Sequence, residues 1–484
     1  MISVKKNFIY SIIYQLLAIF LPLITAPYIS RTLGAEIIGI FSYTQSIANY
    51  FVLFAMLGVI NYGNRSIAMV RDNKDELSRT FWSIYTLQLT TSILMVIAYY
   101  LYVLIFETEH TIIATIQIFY IIGAAVDISW FFFGLEEFKV TVTRNIIIKL
   151  VTTFCVFIFV KTQDDLKLYA LIMTLGTLLG QLSVWPFLKK YIHFARPSFR
   201  DVVQHIRPNL VLFIPVIAVS LYKIMDKIML GVMSNMVEVG LYENVEKIIG
   251  VPKGLVTALG TVMLPRMSNL AAKGDSKGSL QYIEKSMLFV TFMGVALTFG
   301  IAGIGPIFAP VFFGEEFRRC GELLVWISPT IIFLSWANVI RTQYLIPNKK
   351  DRAYIISVFI GAIINLIING ILISEYGALG AVIGTVAAEA SIAISQTVMV
   401  KDNLDFLLYF RNGLIFVPIG ILMFITVRFI GYFFGQSVFT LLLQIVIGAA
   451  IYLLLSGVYL LKKRNPIIID FINKLIKYRR RIFK

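Results

Sequence analysis

The sequence is poor in charge, cysteine and histidine, and each scarcity excludes a class of protein. Only 14% of the 484 residues are charged, and no long polar block interrupts the chain, which is unlike a soluble globular domain. Cys155 and Cys320 form neither a disulfide framework nor a CxxC metal site. The three histidines lack H-E-x-x-H spacing, and no G-x-x-x-x-G-K-[ST] loop is present. We therefore expect no metal, no cofactor, no ATP hydrolysis and no enzymatic activity.

Apolar runs fill the space that polar residues leave. Hydrophobic residues make up 58% of the chain and the mean hydropathy is +0.83. Runs of about twenty residues are each long enough to cross the ~30 Å hydrocarbon layer as a helix. We predict an all-α, polytopic membrane protein of about fourteen spans, at 7–28, 37–60, 81–106, 111–133, 145–160, 168–188, 209–233, 241–264, 282–308, 321–345, 353–374, 376–400, 414–434 and 439–461. The first run is too long for a signal peptide and is interpreted as an uncleaved helix.

Lys and Arg alternate between successive loops, which predicts the orientation. The loops on one side are rich in these residues, whereas the opposite loops hold only Arg31, Lys161, Lys167, Arg318 and Arg319. The positive-inside rule therefore predicts that both termini are cytoplasmic. The formal net charge of +16 is then a topology signal and requires no nucleic-acid partner. The basic tail at 462–484 is expected to lie on anionic membrane lipids as an amphipathic helix; a solvated tail is the alternative.

A weak internal repeat relates the two halves of the chain. Aligned without a gap, Gly39 matches Gly240, and Arg65 matches Arg266. Six spans separate corresponding points, so both copies enter the membrane from the same side, as in a parallel repeat. We predict an N-terminal lobe at 1–207, a C-terminal lobe at 208–400 and two additional helices at 401–461.

Charges inside predicted spans mark the candidate site, because ionised groups at membrane depth are costly unless they face water or a partner. Spans seven and eight carry four cations, Lys223, Lys227, Lys247 and Lys253, and three carboxylates, Asp226, Glu243 and Glu246. Other spans contribute Asp127 and Glu389. Two interpretations remain open. The charges either pair to hold helices together, or they line a central cationic cavity that binds an anionic group such as a diphosphate.

Several motifs resemble the Wzx-type polysaccharide flippases of the multidrug/oligosaccharidyl-lipid/polysaccharide (MOP) exporter superfamily. They are "PLITAPYISRTLG" (22–34), "NYGNRSIA" (61–68), "DISWFFFGLEEFK" (127–139) and "MDKIMLG" followed by "VGLYENVEKI". The resemblance covers essentially the whole chain. It implies two lobes that alternate in access, and transfer of an undecaprenyl-diphosphate-linked oligosaccharide across the bacterial cytoplasmic membrane for capsule or O-antigen synthesis.

This resemblance assigns roles to the charged residues. Diphosphate or sugar contacts are expected from Lys223, Lys227, Lys247 and Lys253, with Arg31 and Arg65 as N-lobe counterparts. Charge tuning or ion coupling is expected from Asp127, Asp226, Glu243, Glu246 and Glu389. Polysaccharide polymerase and glycosyltransferases are possible partners. A lipid II flippase and a cation-coupled multidrug antiporter of the same superfamily are the alternatives.

The predicted topology is testable by labelling single cysteines in a cysteine-free background. We expect Arg200→Cys to resist an impermeant thiol reagent in intact cells, because the loop 189–207 is predicted to be cytoplasmic. Gly435→Cys should react readily from outside. Equal labelling of the two positions would contradict the topology.

Overall fold

The computed structural model describes the backbone of residues 4–463 and the side chains from Leu21 onwards, except those of residues 215, 218, 221 and 222. All regular secondary structure in this range is helical. The α-helices are α1 (Val4–Met56), α2 (Val59–Val70), α3 (Lys74–Phe106), α4 (Thr111–Ile116), α5 (Ile118–Ala125), α6 (Ser129–Gly134), α7 (Phe138–Phe159), α8 (Leu166–Leu182), α9 (Trp185–Leu188), α10 (Phe199–Val203), α11 (Ile206–Met233), α12 (Met236–Ala272), α13 (Ser276–Phe313), α14 (Arg318–Ile327), α15 (Thr330–Val339), α16 (Asp351–Tyr376), α17 (Ala378–Met399), α18 (Phe406–Gly413), α19 (Phe416–Phe434) and α20 (Val438–Lys462). The predicted tail helix lies outside the described residues, apart from its first two positions.

Eleven helical segments of the described chain are long and apolar enough to cross a membrane. A twelfth results if Glu315–Ile327 and Thr330–Leu345, which are bent by 42°, form one span. Predicted span one and most of predicted span two fall together in α1, and predicted span seven corresponds to α11. The all-α polytopic architecture is thus confirmed, whereas the number fourteen stays a prediction.

Between the first two predicted spans, at 29–36, the helix α1 is interrupted at a single glycine. Gly34 has φ 78° and ψ 172° inside α1, a conformation that costs a residue without Cβ little. The segment Leu21–Val70 would measure about 75 Å as one straight helix, more than twice the hydrocarbon thickness of ~30 Å. The break at Gly34 therefore lies where the chain has to turn back.

The contacts of the chain divide it into two compact units. The first contains the residues up to Val251 together with Val358–Ala388, and the second contains Pro252–Ser357 and the residues from Glu389 onwards. The core of the first unit includes stacked or edge-to-face rings of Phe81, Trp130 and Phe131. These units differ from the predicted lobes, because residues that contact one another define the units, whereas sequence similarity between the two halves of the chain defines the lobes. The lobe boundaries remain a prediction.

Within the first unit, α1 and α12 touch backbone to backbone. A Cβ added to Gly39 would lie 1.7 Å from the Met236 carbonyl oxygen, and one added to Gly240 would lie 1.9 Å from the Ala35 carbonyl oxygen. The two contacts are reciprocal, because Ala35 and Met236 each lie four residues before the two glycines that the predicted alignment matches. Reciprocal contacts are what a twofold axis generates between equivalent surfaces.

A second pair of contacts has the same reciprocity. Asn244 Nδ2 donates to Ser30 Oγ at 2.8 Å. The equivalent positions, Tyr43 and Gly231, are also in contact, because a Cβ on Gly231 would lie 2.2 Å from the Tyr43 ring. Both pairs follow the spacing set by Gly39 and Gly240, and the repeat itself stays a prediction.

This backbone contact predicts an unequal response of two glycines on α12. Gly240→Ala should lower the free energy of unfolding by about 1–3 kcal/mol, because the added methyl group collides with backbone. Gly250→Ala is the matched control, since nothing lies within 4 Å of its Cβ position, and should be neutral or slightly stabilising. Thermal unfolding of the purified variants in detergent measures both. Equal stability of the two would contradict the close contact.

Candidate functional site

An ion-pair network joins α11 to α12 within the first unit. Lys227 Nζ lies 2.7 Å from Glu243 Oε2 and 2.9 Å from Glu246 Oε2. Lys247 Nζ lies 3.2 Å from Glu243 Oε1, and Ser42 Oγ on α1 donates to Glu243 Oε2 at 2.8 Å. Lys227 and Glu243 each expose only 17% of their side chain. Two cations and two carboxylates thus balance one another, and Glu243 has three partners.

The predicted cations differ in how much of each side chain reaches the surface. Lys223, one helical turn before Lys227, is exposed, and Lys247 exposes 27% of its side chain. Arg31 on α1 and Arg65 on α2 are also exposed. Lys227 therefore has two carboxylate partners and little exposed surface. Lys223 and Lys247 expose more of their side chains.

Asp226 does not join the ion-pair network and contacts a different set of side chains. It is buried and accepts three hydrogen bonds from neutral groups, namely Tyr242 Oη at 2.5 Å, Thr385 Oγ1 at 2.8 Å and Asn369 Nδ2 at 2.7 Å. Three donors satisfy an ionised carboxylate without a cation. Asp226 therefore links α11 to α12, α16 and α17.

Two polar atoms beside Asp226 have no hydrogen-bond partner among the described residues. They are Asn369 Oδ1 and Asn365 Nδ2, both on buried side chains. Gly384 leaves room for them, because a Cβ there would lie 2.0 Å from Asn369 Oδ1. Sequence reasoning missed these neutral residues; the available signal was a pair of asparagines four residues apart inside an apolar span.

Glu389 has a cationic partner within the second unit. Its Oε1 atom lies 3.8 Å from Lys253 Nζ, and the residue is buried. Glu389 is expected from the sequence to tune charge or couple an ion, and ion coupling requires a carboxylate that can exchange its counter-ion. Its lysine partner makes Glu389 less suited to that role than Asp226, whose hydrogen-bond donors are neutral.

Asp127 has a local structural role. Its Oδ1 atom accepts the Ser129 backbone N–H at 2.9 Å, at the break between α5 and α6. Gln88 on α3 donates to the Asp127 carbonyl oxygen at 2.9 Å and accepts from Trp130 Nε1 at 2.9 Å. The motif "DISWFFFG" therefore forms a broken helix in which the Asp127 side chain accepts the Ser129 backbone N–H and a buried glutamine accepts the Trp130 indole N–H.

Outside the spans, His205 contributes a hydrogen bond rather than a charge. Its Nδ1 atom lies 2.7 Å from Tyr62 Oη. Burial lowers the pKa of His205 below its ordinary value, although the nearby Asp201 carboxylate opposes this effect. His205 is consequently neutral at neutral pH, and it supplies no cation to the candidate site.

Comparison with known proteins assigns the family. Residues 4–271 match the model of a family described as polysaccharide biosynthesis protein. The chain belongs to this family. A curated relative from Escherichia coli K12, named "Putative O-antigen transporter", is 24% identical over 413 residues, which cover 83% of this chain and 98% of the relative. The lipid II flippase MurJ of Bacillus subtilis is 24% identical over 43% of this chain and 41% of MurJ.

Solved structures identify the fold. A lipid II flippase MurJ in an inward closed conformation superposes with a TM-score of 0.75 at 14% identity, covering 95% of this chain and all of that one. An inward-facing multidrug resistance MATE transporter of the MOP superfamily gives 0.59 at 11% identity, covering 78% of this chain and 97% of that one. The predicted membership of the Wzx-type polysaccharide flippases is confirmed at the level of family, and the solved structures show that the fold is shared with MurJ and the MATE transporter. This is a group of multi-pass membrane transporters rather than enzymes.

Proposed function

We propose that the chain transfers an undecaprenyl-diphosphate-linked oligosaccharide repeat unit from the inner to the outer leaflet of the bacterial cytoplasmic membrane by alternating access. The exported unit is used for capsule or O-antigen-type polysaccharide. Both termini are cytoplasmic in this proposal. The observation that carries it is the set of ionised side chains on α11 and α12, inside spans where such groups are costly without a polar ligand or partner.

The division of labour among the lysines follows from their partners. Lys227, held by two carboxylates, fixes α11 against α12. Lys223 and Lys247 are exposed enough to meet an anionic headgroup, and their ammonium groups bind phosphate oxygens strongly where water is excluded. Arg31, Arg65 and Lys253 are secondary contacts. The polyprenyl tail stays in lipid, so only the headgroup needs a polar path.

Asp226 is the coupling residue in this proposal. A buried carboxylate with neutral donors changes its charge balance when it takes up a proton or a monovalent cation, and Asn369 Oδ1 adds an unused acceptor beside it. Its hydrogen bonds reach three other helices of the first unit, so a change in its charge would alter their packing. Glu389, paired with Lys253, is assigned to helix packing.

A lipid II flippase is the second candidate. It is favoured by the TM-score of 0.75 with MurJ. The O-antigen assignment is preferred because the Escherichia coli relative is covered over 98% of its length, against 41% for the curated MurJ. Complementation separates the two: growth of a strain depleted of its lipid II flippase would favour the second candidate. The multidrug antiporter is disfavoured because its cargo needs no cationic site.

The lysine assignment predicts two different phenotypes among three alanine variants. Lys223→Ala and Lys247→Ala should each reduce polymer export at normal membrane abundance. Losing one desolvated, charge-assisted contact costs about 1.5–3 kcal/mol, or roughly ten- to a hundredfold in ligand affinity. Lys227→Ala should instead lower abundance, because it leaves Glu243 and Glu246 without their shared cation. Quantitative membrane immunoblots beside a polymer export assay measure these effects.

Lys273→Ala is the matched control for the loss of one positive charge, since Lys273 is exposed just beyond the end of α12. It should leave export and abundance unchanged. Lys223→Arg and Lys247→Arg should be milder than the alanine variants, because the charge survives. Normal export in both Lys223→Ala and Lys247→Ala would remove these residues from the mechanism.

The coupling assignment predicts a difference between two isosteric changes. Asp226→Asn should abolish the dependence of transport on pH or sodium, because the side chain can no longer change charge. Glu389→Gln should retain that dependence. Transport into vesicles under imposed proton or sodium gradients measures it. The assignment fails if the gradient dependence survives in Asp226→Asn.

A further inference from the structure

A cavity of about 1020 Å³ lies within the second unit, and the residues that line it include none of the candidate site. It is formed where α13 and α19 end and where α14 and α20 begin. Its volume is at the upper end of the ~300–1,000 Å³ typical of small-molecule sites. Arg318 lines this cavity, and the predicted topology places the loop that contains Arg318 on the outer side of the membrane. We call it the outer cavity.

Arg428 places a positive charge on the wall of the outer cavity. It lies six residues before the end of α19, hence about 9 Å below the helix end. Its guanidinium group lies 5.6 Å from the centre of the Phe424 ring, and it forms no ion pair within the described part of the chain. An arginine at this depth is costly unless it faces water or an anion. Arg318 at the rim is already paired with Glu315 at 2.9 Å.

Hydrogen-bond acceptors line the same cavity. Gln444 on α20 is buried, and its Nε2 atom donates to the Val427 carbonyl oxygen at 2.8 Å. Its Oε1 atom has no partner among the described residues. Gly431 makes room for this amide, since a Cβ there would lie 2.6 Å from Gln444 Nε2. Glu322 adds an exposed carboxylate. Gln444 Oε1 is itself buried, so an acceptor that remains available to a ligand hydroxyl group in this cavity is the Glu322 carboxylate.

Two aromatic side chains stand at the mouth of the outer cavity. Tyr432 is 86% exposed and Trp326 is 53% exposed. Tyr and Trp concentrate at the level of lipid headgroups, where their rings are half in hydrocarbon and half in water. The opening of the cavity is therefore expected at the level of the lipid headgroups rather than among the acyl chains.

We propose that the outer cavity binds the headgroup of a membrane lipid that combines a phosphate with hydroxyl groups. The phosphate lies at Arg428, and the hydroxyls donate to the exposed carboxylate of Glu322. Two lipids supply this chemistry, phosphatidylglycerol and a polyprenyl-diphosphate-linked sugar. The second source rests on the proposed function, whereas phosphate and hydroxyl recognition does not.

Lipid titration of the purified full chain, followed by native mass spectrometry, tests the proposal. The probes are phosphatidylglycerol, a polyprenyl-diphosphate-linked sugar and phosphatidylcholine, whose headgroup has no hydroxyl. Wild type should prefer at least one of the first two over phosphatidylcholine, and the lipid whose binding depends on Arg428 identifies the source. Arg428→Gln should weaken that binding about ten- to a hundredfold. Arg411→Gln, which removes an exposed arginine on α18 outside the cavity, should leave it within twofold.

Absence of a preference in wild type, or equal binding by Arg428→Gln and Arg411→Gln, would overturn the proposal. If Arg428→Gln fails to fold, Tyr432→Leu carries the test, because its side chain is exposed; it should weaken binding several-fold, and unchanged binding would then count against the cavity. Failure of the proposed function is distinguishable. Lys247→Ala addresses export and should leave phosphatidylglycerol binding at the outer cavity intact.

Discussion

The direct contact of two glycines, Gly39 and Gly240, is the constraint on which the candidate site depends. Side chains of any size at these positions would separate α1 from α12, because each Cβ would enter the opposite backbone. Three residues further along each helix, Ser42 and Glu243 are brought within hydrogen-bond distance at 2.8 Å. These two residues are equivalent in the predicted repeat. Close packing of the backbones thus determines which side chains can meet inside the membrane.

The repeat also shows what is special about the second copy. Its charged residues match uncharged ones in the first copy: Lys223 matches Pro22, Asp226 matches Thr25, Lys227 matches Ala26, Glu243 matches Ser42, Glu246 matches Gln45 and Lys247 matches Ser46. At these six positions, the charges are therefore confined to the second of the two matched segments. Packing alone does not require these charges, because uncharged residues form the reciprocal contacts. Ser30 contacts Asn244, and Tyr43 contacts Gly231. A polar ligand is consequently the best explanation for these charges.

The sequence was sufficient to predict features that depend on local spacing. The helical period places Glu243 and Lys247 on one face, and they do form an ion pair at 3.2 Å. The break at Asp127 and the partners of Asp226 were not predictable in this way. Asn369 and Thr385 are separated from Asp226 by 143 and 159 residues, so their contact depends on how α16 and α17 pack. The outer cavity is likewise invisible in sequence, because its lining comes from segments between Gly303 and Gln444.

The geometry of Glu243 bears on how an anion would bind in the proposed function. A phosphate approaching Lys247 has to compete with Glu243 for the ammonium group, at 3.2 Å the longest of the three ion pairs in the network. If Lys247 transfers to the phosphate, Glu243 still has Lys227 and Ser42. No carboxylate is then left buried and unpaired, which is the step that makes disruption of buried ion pairs expensive. An ion-pair network with one replaceable member can therefore hold the helices together and release a cation to a ligand.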